Sequence, residues 1–275
     1  MDDAQDELFD LSAKSTLRRY MADIWERRAF AVVVPANDIR AQNMDTLLGQ
    51  FWHLLNPLLM AAVYYLIFGV ILDASRGVSN YLGFLIVGVF VFQLTQRVVQ
   101  DGSITIDRNK SLIRSISFPR ALLPLSSANA QSFAFVPALV VMVVVVGLSG
   151  DVLSSRLVFL LPILVMHYLI NLGFALIAAR IGSQISDVSQ ILPHLFRLLF
   201  YMSGVLFSVD AYVQSEFWKR VMAANPIYDV ITCARWSLMG LPLRTDVVVG
   251  ALAWATFAPA LGFAVFRSAE HRYGA

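Results

Sequence analysis

The sequence predicts an all-α integral membrane protein. Six transmembrane helices follow an N-terminal amphipathic interface helix, and a re-entrant helical pair lies near the outer face. Three observations carry this reading. Of 275 residues, 58% are hydrophobic and only 15% charged, whereas soluble domains carry about 25% charged residues. Five long stretches contain no charged residue, and a sixth contains a single arginine. The few basic residues fall mainly to one side of these stretches. A net charge of +2 leaves no basic field for nucleic acid, and Cys233, the one cysteine, excludes internal disulfides and multi-cysteine metal sites.

Residues 1–50 form a cytoplasmic N-terminal segment. They open with Asp2, Asp3, Asp6 and Glu7, unlike a signal peptide, which needs a basic start before an apolar core. From Leu17 onward, Tyr20, Met21, Ile24 and Trp25 recur at helical spacing, with Arg18, Arg19, Arg27 and Arg28 at other positions. Such a helix lies in the membrane interface; packing on a partner protein remains an alternative. Pro35 ends it, and a second short helix is expected over 35–44.

A bilayer span needs about 20 mostly apolar residues. Stretches 51–72, 78–96, 121–148, 157–179 and 247–266 are uncharged, and 188–209 is apolar apart from His194 and Arg197. The transmembrane domain, 51–267, therefore has spans at about 51–72, 78–97, 121–148, 157–180, 188–209 and 247–266. A short tail, 268–275, follows. With six spans both termini share one side, which collects 15 of the 21 basic residues. By the positive-inside rule that side is cytoplasmic.

Two connections are more than loops. Segment 101–120 mixes Ile104, Ile106, Leu112, Ile113, Ile116 and Phe118 with Asp107, Arg108, Asn109, Lys110 and Arg114. It predicts a short amphipathic helix over 109–117, ended by Pro119, which disfavours helix at Phe118. This helix either docks on a soluble partner or caps the bundle. Segment 210–244 is too apolar for a solvated loop and too short for two spans. Asn225-Pro226 divides it into two half-length helices, and Gly240 with Pro242 ends the second. Irregular backbone at membrane depth is tolerated only where protein or a cavity surrounds it, so the pair is read as re-entrant; lying flat on the lipid surface is the alternative.

Reaction chemistry is missing from the pattern. No G-x-x-x-x-G-K-[ST] phosphate loop occurs. His53, His167, His194 and His271 lack metal-ligand spacing, and no G-x-S-x-G occurs. Few carboxylates fall within the spans, which argues against a proton- or sodium-coupled site at mid-depth. The chain therefore reads as a conduit driven by a partner, not as an enzyme.

Three motifs in order resemble one family. Leu48-Gly49, Phe51-Trp52, Leu55-Asn56-Pro57-Leu58-Leu59 and Phe68-Gly69 resemble the entry to the first span of polysaccharide-exporting ABC transporter permeases, the Wzm-like ABC type-2 membrane family. Leu112-Ile113-Arg114, Phe118-Pro119-Arg120 and Leu123-Pro124-Leu125-Ser126 look like that family's coupling segment, and Asn225-Pro226 matches its outer-loop signature. The resemblance runs from about Ile39 to Phe266. One departure is that Ile39-Arg40-Ala41-Gln42-Asn43-Met44-Asp45 stands where relatives carry an Arg-Tyr pair and a nearby serine. This variant and the arginine-rich composition are similar to the actinobacterial branch, which exports cell-wall galactan.

The resemblance implies a homodimeric permease in a bacterial cytoplasmic membrane, paired with two ATP-hydrolysing subunits and moving a lipid-diphosphate-linked glycan, a cell-wall galactan or an O-antigen-like glycan, outward. ATP and Mg would be bound by the partner subunit, with no cofactor in this chain. Asn109, Lys110, Leu112, Ile113, Arg114, Phe118, Pro119 and Arg120 would couple to the ATPase. Tyr212, Trp218, Asn225, Pro226 and Tyr228 would belong to outer gate helices. The first and fifth spans would line the conduit, and sugars stack on aromatic faces, so Phe51, Tyr64, Tyr65, Phe68, Phe196, Phe200 and Tyr201 are candidates. Interfacial anchoring or plain packing is the competing account of each. Arg197 costs roughly 2.5–3.5 kcal/mol at a span centre, so it should face a cavity or snorkel to the cytoplasmic edge. In a cavity, with His194, it would meet the lipid diphosphate. Rival cargoes are teichoic acid, capsule or a small lipophilic drug; an integral membrane transferase is the rival from another class.

Overall fold

The computed structural model describes residues 17–27, 49–72, 77–116, 118–150 and 154–269. The expected helix over 35–44, residue 117 and most of the C-terminal tail lie outside the described residues. Within them every regular element is helical. In chain order these are α1 (Leu17–Glu26), α2 (Trp52–Tyr64), α3 (Tyr81–Arg108), α4 (Lys110–Ser115), α5 (Leu122–Leu148), α6 (Leu160–Gly182), α7 (Val188–Met202), α8 (Val209–Tyr212), α9 (Glu216–Met222), α10 (Pro226–Met239) and α11 (Thr245–Ser268). Five continuous helical stretches are long and apolar enough to cross a bilayer: Leu54–Ile71, Tyr81–Arg108, Leu122–Leu148, Ser155–Gly182 and Thr245–Ser268. The protein is a multi-pass membrane protein.

Helix α3 is the axis of the bundle. Its most apolar window is 78% buried, against 11% for the first span, which sits at the periphery. A helix apolar on every side needs neighbours on every side, and α3 has them in α2, α5, α6, α7 and α10. Asn80 begins it by accepting from the Gly83 N–H at 2.9 Å, while its Nδ2 donates to Ser149 Oγ at 2.7 Å and ties the end of α5 alongside. The expected second span ended near 97, with 101–120 a separate connection. Instead α3 runs on to Arg108. Asp101, which suggested an exit from the helix, is answered there by Arg108 at 3.3 Å and by donors from Ser127 and Gln131. The connection proper starts at Asn109.

Small residues set the helix crossings. A Cβ on Gly173 of α6 would run into the Ala258 backbone of α11, and one on Gly262 would meet the Gly173 carbonyl. Gly182 lies equally close to the Ser103 carbonyl of α3. Lipid provides no hydrophobic drive between helices, so such backbone approach supplies dispersion contact instead.

The first span is α2 continued by a π-helical stretch, Tyr65–Ile71, and closed by Leu72 N–H donating five residues back to Ile67 at 2.9 Å. The fifth segment departs from its expected form. Helix α7 stops at Met202, because Ser203 Oγ turns back onto the Leu199 carbonyl and Gly204 takes φ +60°. Residues 203–208 continue without helix, largely buried in protein. The segment nevertheless joins the two ends of the bundle. Gly182 just before it packs on Ser103 of α3, and Gly204 lies beside the Phe84 turn of α3. Helix α1 and the end of α11 meet at the Asn109 end of α3. There Tyr20 Oη accepts from the Ala121 N–H at 3.3 Å, and its ring packs edge-on against Phe263.

Candidate functional site

Only part of the predicted conduit forms one surface. Tyr64 of α2 stacks on Phe200 of α7 at 5.1 Å, with Phe68 at 6.3 Å from Tyr64. Phe92 of α3 meets Phe196 and Phe200 edge-on at 5.9 and 5.1 Å. Phe196 and Phe200 are thus buried packing residues within one chain, on the α7 face that also carries Leu192. Tyr65 turns away toward Tyr81 at 6.4 Å, and Phe51 stands exposed at the far end of α2. His194, Arg197 and Tyr201 share the opposite, exposed face of α7. Arg197 adjoins Phe196, which touches Phe92 halfway along α3. The arginine therefore lies level with the middle of α3, on the exposed face of α7.

At that end, α4 has a buried foot and an exposed ridge. Ile113 packs in a small core with Tyr20, Ile106, Leu123 and Phe266, and Leu112 and Phe118 border it. Pro119 is buried and Arg120 partly so. Asn109 closes α3 by donating from Nδ2 to the Thr105 carbonyl at 2.8 Å, and Lys110 pairs with Asp107 at 2.9 Å. Lys110, Arg114 and Ile116 point outward. The helix is shorter than expected, because Ile116 is already extended.

At the Asn80 end the re-entrant pair divides. Helix α9 lies on the surface with Phe217 and Trp218 exposed, whereas α10 is buried along most of its length. Asn225 caps α10 by accepting from the Ile227 N–H at 3.0 Å, and its Nδ2 donates to Ser203 Oγ at 2.9 Å. Pro226 occupies the first turn, where its missing N–H is no loss. Tyr228 is buried against Gly204, and exposed Tyr212 meets Phe207 edge-on. Outside, Arg244 gathers Asp246 at 2.7 Å with Asp210 and Glu216 at 3.9 Å. The Lys219 hydrogen bond holds the exposed Glu216 carboxyl below its ordinary range, with help from Arg244 and Arg220.

Three charges that composition places in flanking loops lie inside the bundle instead. Arg235 is 4% exposed. It donates to the carbonyls of Phe84, Gly204 and Val205 at 2.8–3.2 Å and stacks over the Phe84 ring at 3.3 Å. Asp229 is fully buried beside Gly250, its carboxylate oxygens without a hydrogen-bond partner among the described residues. Arg97 is built into α3, donating to Gln93 Oε1 at 3.1 Å. Periodicity gave no warning of any of them; only the lengths of α3 and α10 could have. Among the described residues no group of three or more His, Cys, Asp or Glu side chains could hold a metal ion.

Residues 36–239 match the ABC-2 type transporter family, and the chain belongs to it. It is similar to the O-antigen export system permease protein RfbA of Klebsiella pneumoniae, 24% identical over 88% of this chain and 92% of that one. RfbA of Myxococcus xanthus is 25% identical over 78% and 82%. The polysialic acid transport protein KpsM of Escherichia coli is 22% identical over 85% and 90%. The chain is a transport permease subunit and not an enzyme.

Proposed function

We propose that this chain is the membrane permease of an ATP-driven exporter that carries a lipid-linked polysaccharide across a bacterial cytoplasmic membrane, with both termini cytoplasmic. It works as two copies with two separate ATP-hydrolysing subunits, which hold ATP and Mg. The observation that carries the reading is the family membership together with relatives named for polysaccharide export. Arg197 supports it, since a charge level with the middle of α3 on an exposed helix face needs a water-filled passage or a second copy to cover it. In that passage Arg197 and His194 meet the anionic linkage, and Tyr201 offers a face on which sugar rings slide. The α4 ridge of Lys110, Arg114 and Ile116 meets the ATPase.

The cargo we favour is a cell-wall galactan, from the sequence variant at 39–45. A capsule-like glycan is the second reading, favoured by the similarity to KpsM. Depletion of the permease is the test. Lipid-linked glycan should accumulate on the cytoplasmic leaflet, and its sugar composition separates the two cargoes. A depleted cell with no such accumulation, and a purified permease that retains no ATPase, would overturn the reading.

A further inference from the structure

Asp229 has surroundings that suit a carboxylic acid and not a carboxylate. It lies in the first turn of α10, outside the five spans, and is wholly buried. Neither side-chain oxygen has a hydrogen-bond partner among the described residues. The carboxyl occupies the space left by the missing side chain of Gly250 on α11, and the Ala223 carbonyl borders the same space. A carboxylate can only accept hydrogen bonds, whereas the protonated acid also donates one. An acceptor stands at hand and no donor does, which favours the neutral form. Desolvation acts in the same direction. Burial, with Asp246 adding to it, pushes this carboxyl up to about 8.

The other titratable groups around α10 are committed elsewhere. On α11 the group facing Asp229 is Asp246, held by Arg244 at 2.7 Å. On α10 itself, Cys233 shares the Asp229 face one turn on. Arg235 is bound to the Phe84, Gly204 and Val205 carbonyls, and Tyr228 packs on Gly204. Helix α3 presents Tyr81, whose hydroxyl donates to the Leu206 carbonyl at 2.7 Å. Helix α6 presents His167, hydrogen-bonded to Thr95 at 2.7 Å. Arg156 donates to the Gly240 carbonyl at 3.2 Å, and α5 carries no titratable side chain. Before α10, Lys219 pairs with Glu216 and Arg220 is exposed. Among the described residues, no cation is set against Asp229.

We propose that Asp229 is a proton-binding site that locks α10 against α11. With the proton on, the neutral acid fits the Gly250 gap and faces an acceptor in Ala223. The same seam is held by Trp254 of α11, whose Nε1 donates to the Ala224 carbonyl at 3.1 Å. Loss of the proton to water puts an unmatched charge into the gap, and the seam loosens. The proton has a short way out, because Ala224 is exposed at the Asn80 end. In the orientation proposed above that end faces outward, so the site answers external pH, whatever the cargo.

The test is melting of the purified full-length permease in detergent across pH, beside the near-isosteric variant Asp229→Asn. The folded protein binds this proton more tightly than the unfolded chain, whose value is 3.8. The stability conferred by the neutral acid is therefore full below that value, declines as pH rises toward about 8, and stays level above. The parent's melting temperature should fall across that window, while Asp229→Asn stays flat and melts higher at its upper end. The infrared difference spectrum across the same window should show a protonated-carboxyl C=O stretch lost in the parent and absent from the variant. Maleimide labelling of the native Cys233, compared between the two proteins at the same pH, should be faster in the parent above about 8 and equal well below it. A melting slope shared by Asp229→Asn, or a carboxyl band that persists in it, overturns the site. Equal labelling at high pH overturns the lock. If Asp229→Asn does not fold, Asp246→Asn decides: loss of that neighbouring charge should move the infrared transition to lower pH, and an unchanged midpoint rejects the proposal.

Discussion

Arg235 shows how one side chain can hold an end of the bundle. Its guanidinium satisfies the carbonyls of Gly204 and Val205, which the break after α7 strips of helical partners, and the Phe84 carbonyl of α3. Arg235→Met leaves these carbonyls without that donor at a buried site, and one unmatched buried group costs about 1–3 kcal/mol. Thermal melting in detergent should drop clearly, and the unstable end should be the one around residues 203–208. Arg197→Ala should behave in the opposite way. The side chain is exposed and holds no packing, so melting should stay at the parental value while export falls. Unchanged export in that variant would remove Arg197 from the passage. Asn225 has a narrower role, capping α10, and Asn225→Ala should cost about 1 kcal/mol, read in the same melting assay.

Among the elements, the crossing of α6 and α11 is the most demanding. Gly173 and Gly262 meet backbone to backbone with no room for a side chain. Gly173→Val must push the helices apart and lose the contacts along the whole pair, so the assembled permease should fail to survive extraction. A fully stable Gly173→Val protein would show that the crossing adjusts at little cost. Helix α4 buries Ile113 and turns Lys110 and Arg114 outward. Arg114→Glu should therefore leave melting unchanged and abolish stimulation of the ATPase; retained stimulation would place the docking surface elsewhere.

For the whole molecule, the decisive property is which end faces the cytoplasm. The native Cys233 is buried, so a Cys233→Ala background leaves single introduced cysteines as clean reporters. Ser111→Cys should resist an impermeant maleimide in intact cells and react after lysis, whereas Gln214→Cys should react in intact cells. The reverse pattern would invert the topology. The same scale explains what could be read from the chain directly. Four of the five long helices coincide with uncharged stretches to within a few residues, since an apolar run of span length has no other stable home. The end of α3 was misplaced because Asp101 and Arg97 look like loop charges until α5 supplies Ser127 and Gln131. The two faces of α7 were not separable either. Phe196, Arg197 and Phe200 are neighbours in sequence, and only packing on Phe92 shows which of them is inside.

The sequence by itself therefore determined the class of protein, most of the long apolar helices, the break at Asn225-Pro226 and the family, because hydropathy and turn chemistry are local. Tertiary structure alone decided where the few charges go. Arg235 was bound to three backbone carbonyls, Asp229 was enclosed beside Gly250, and Arg97 was built into α3. Burial of a charge depends on neighbours distant in the chain, and no local pattern encodes them.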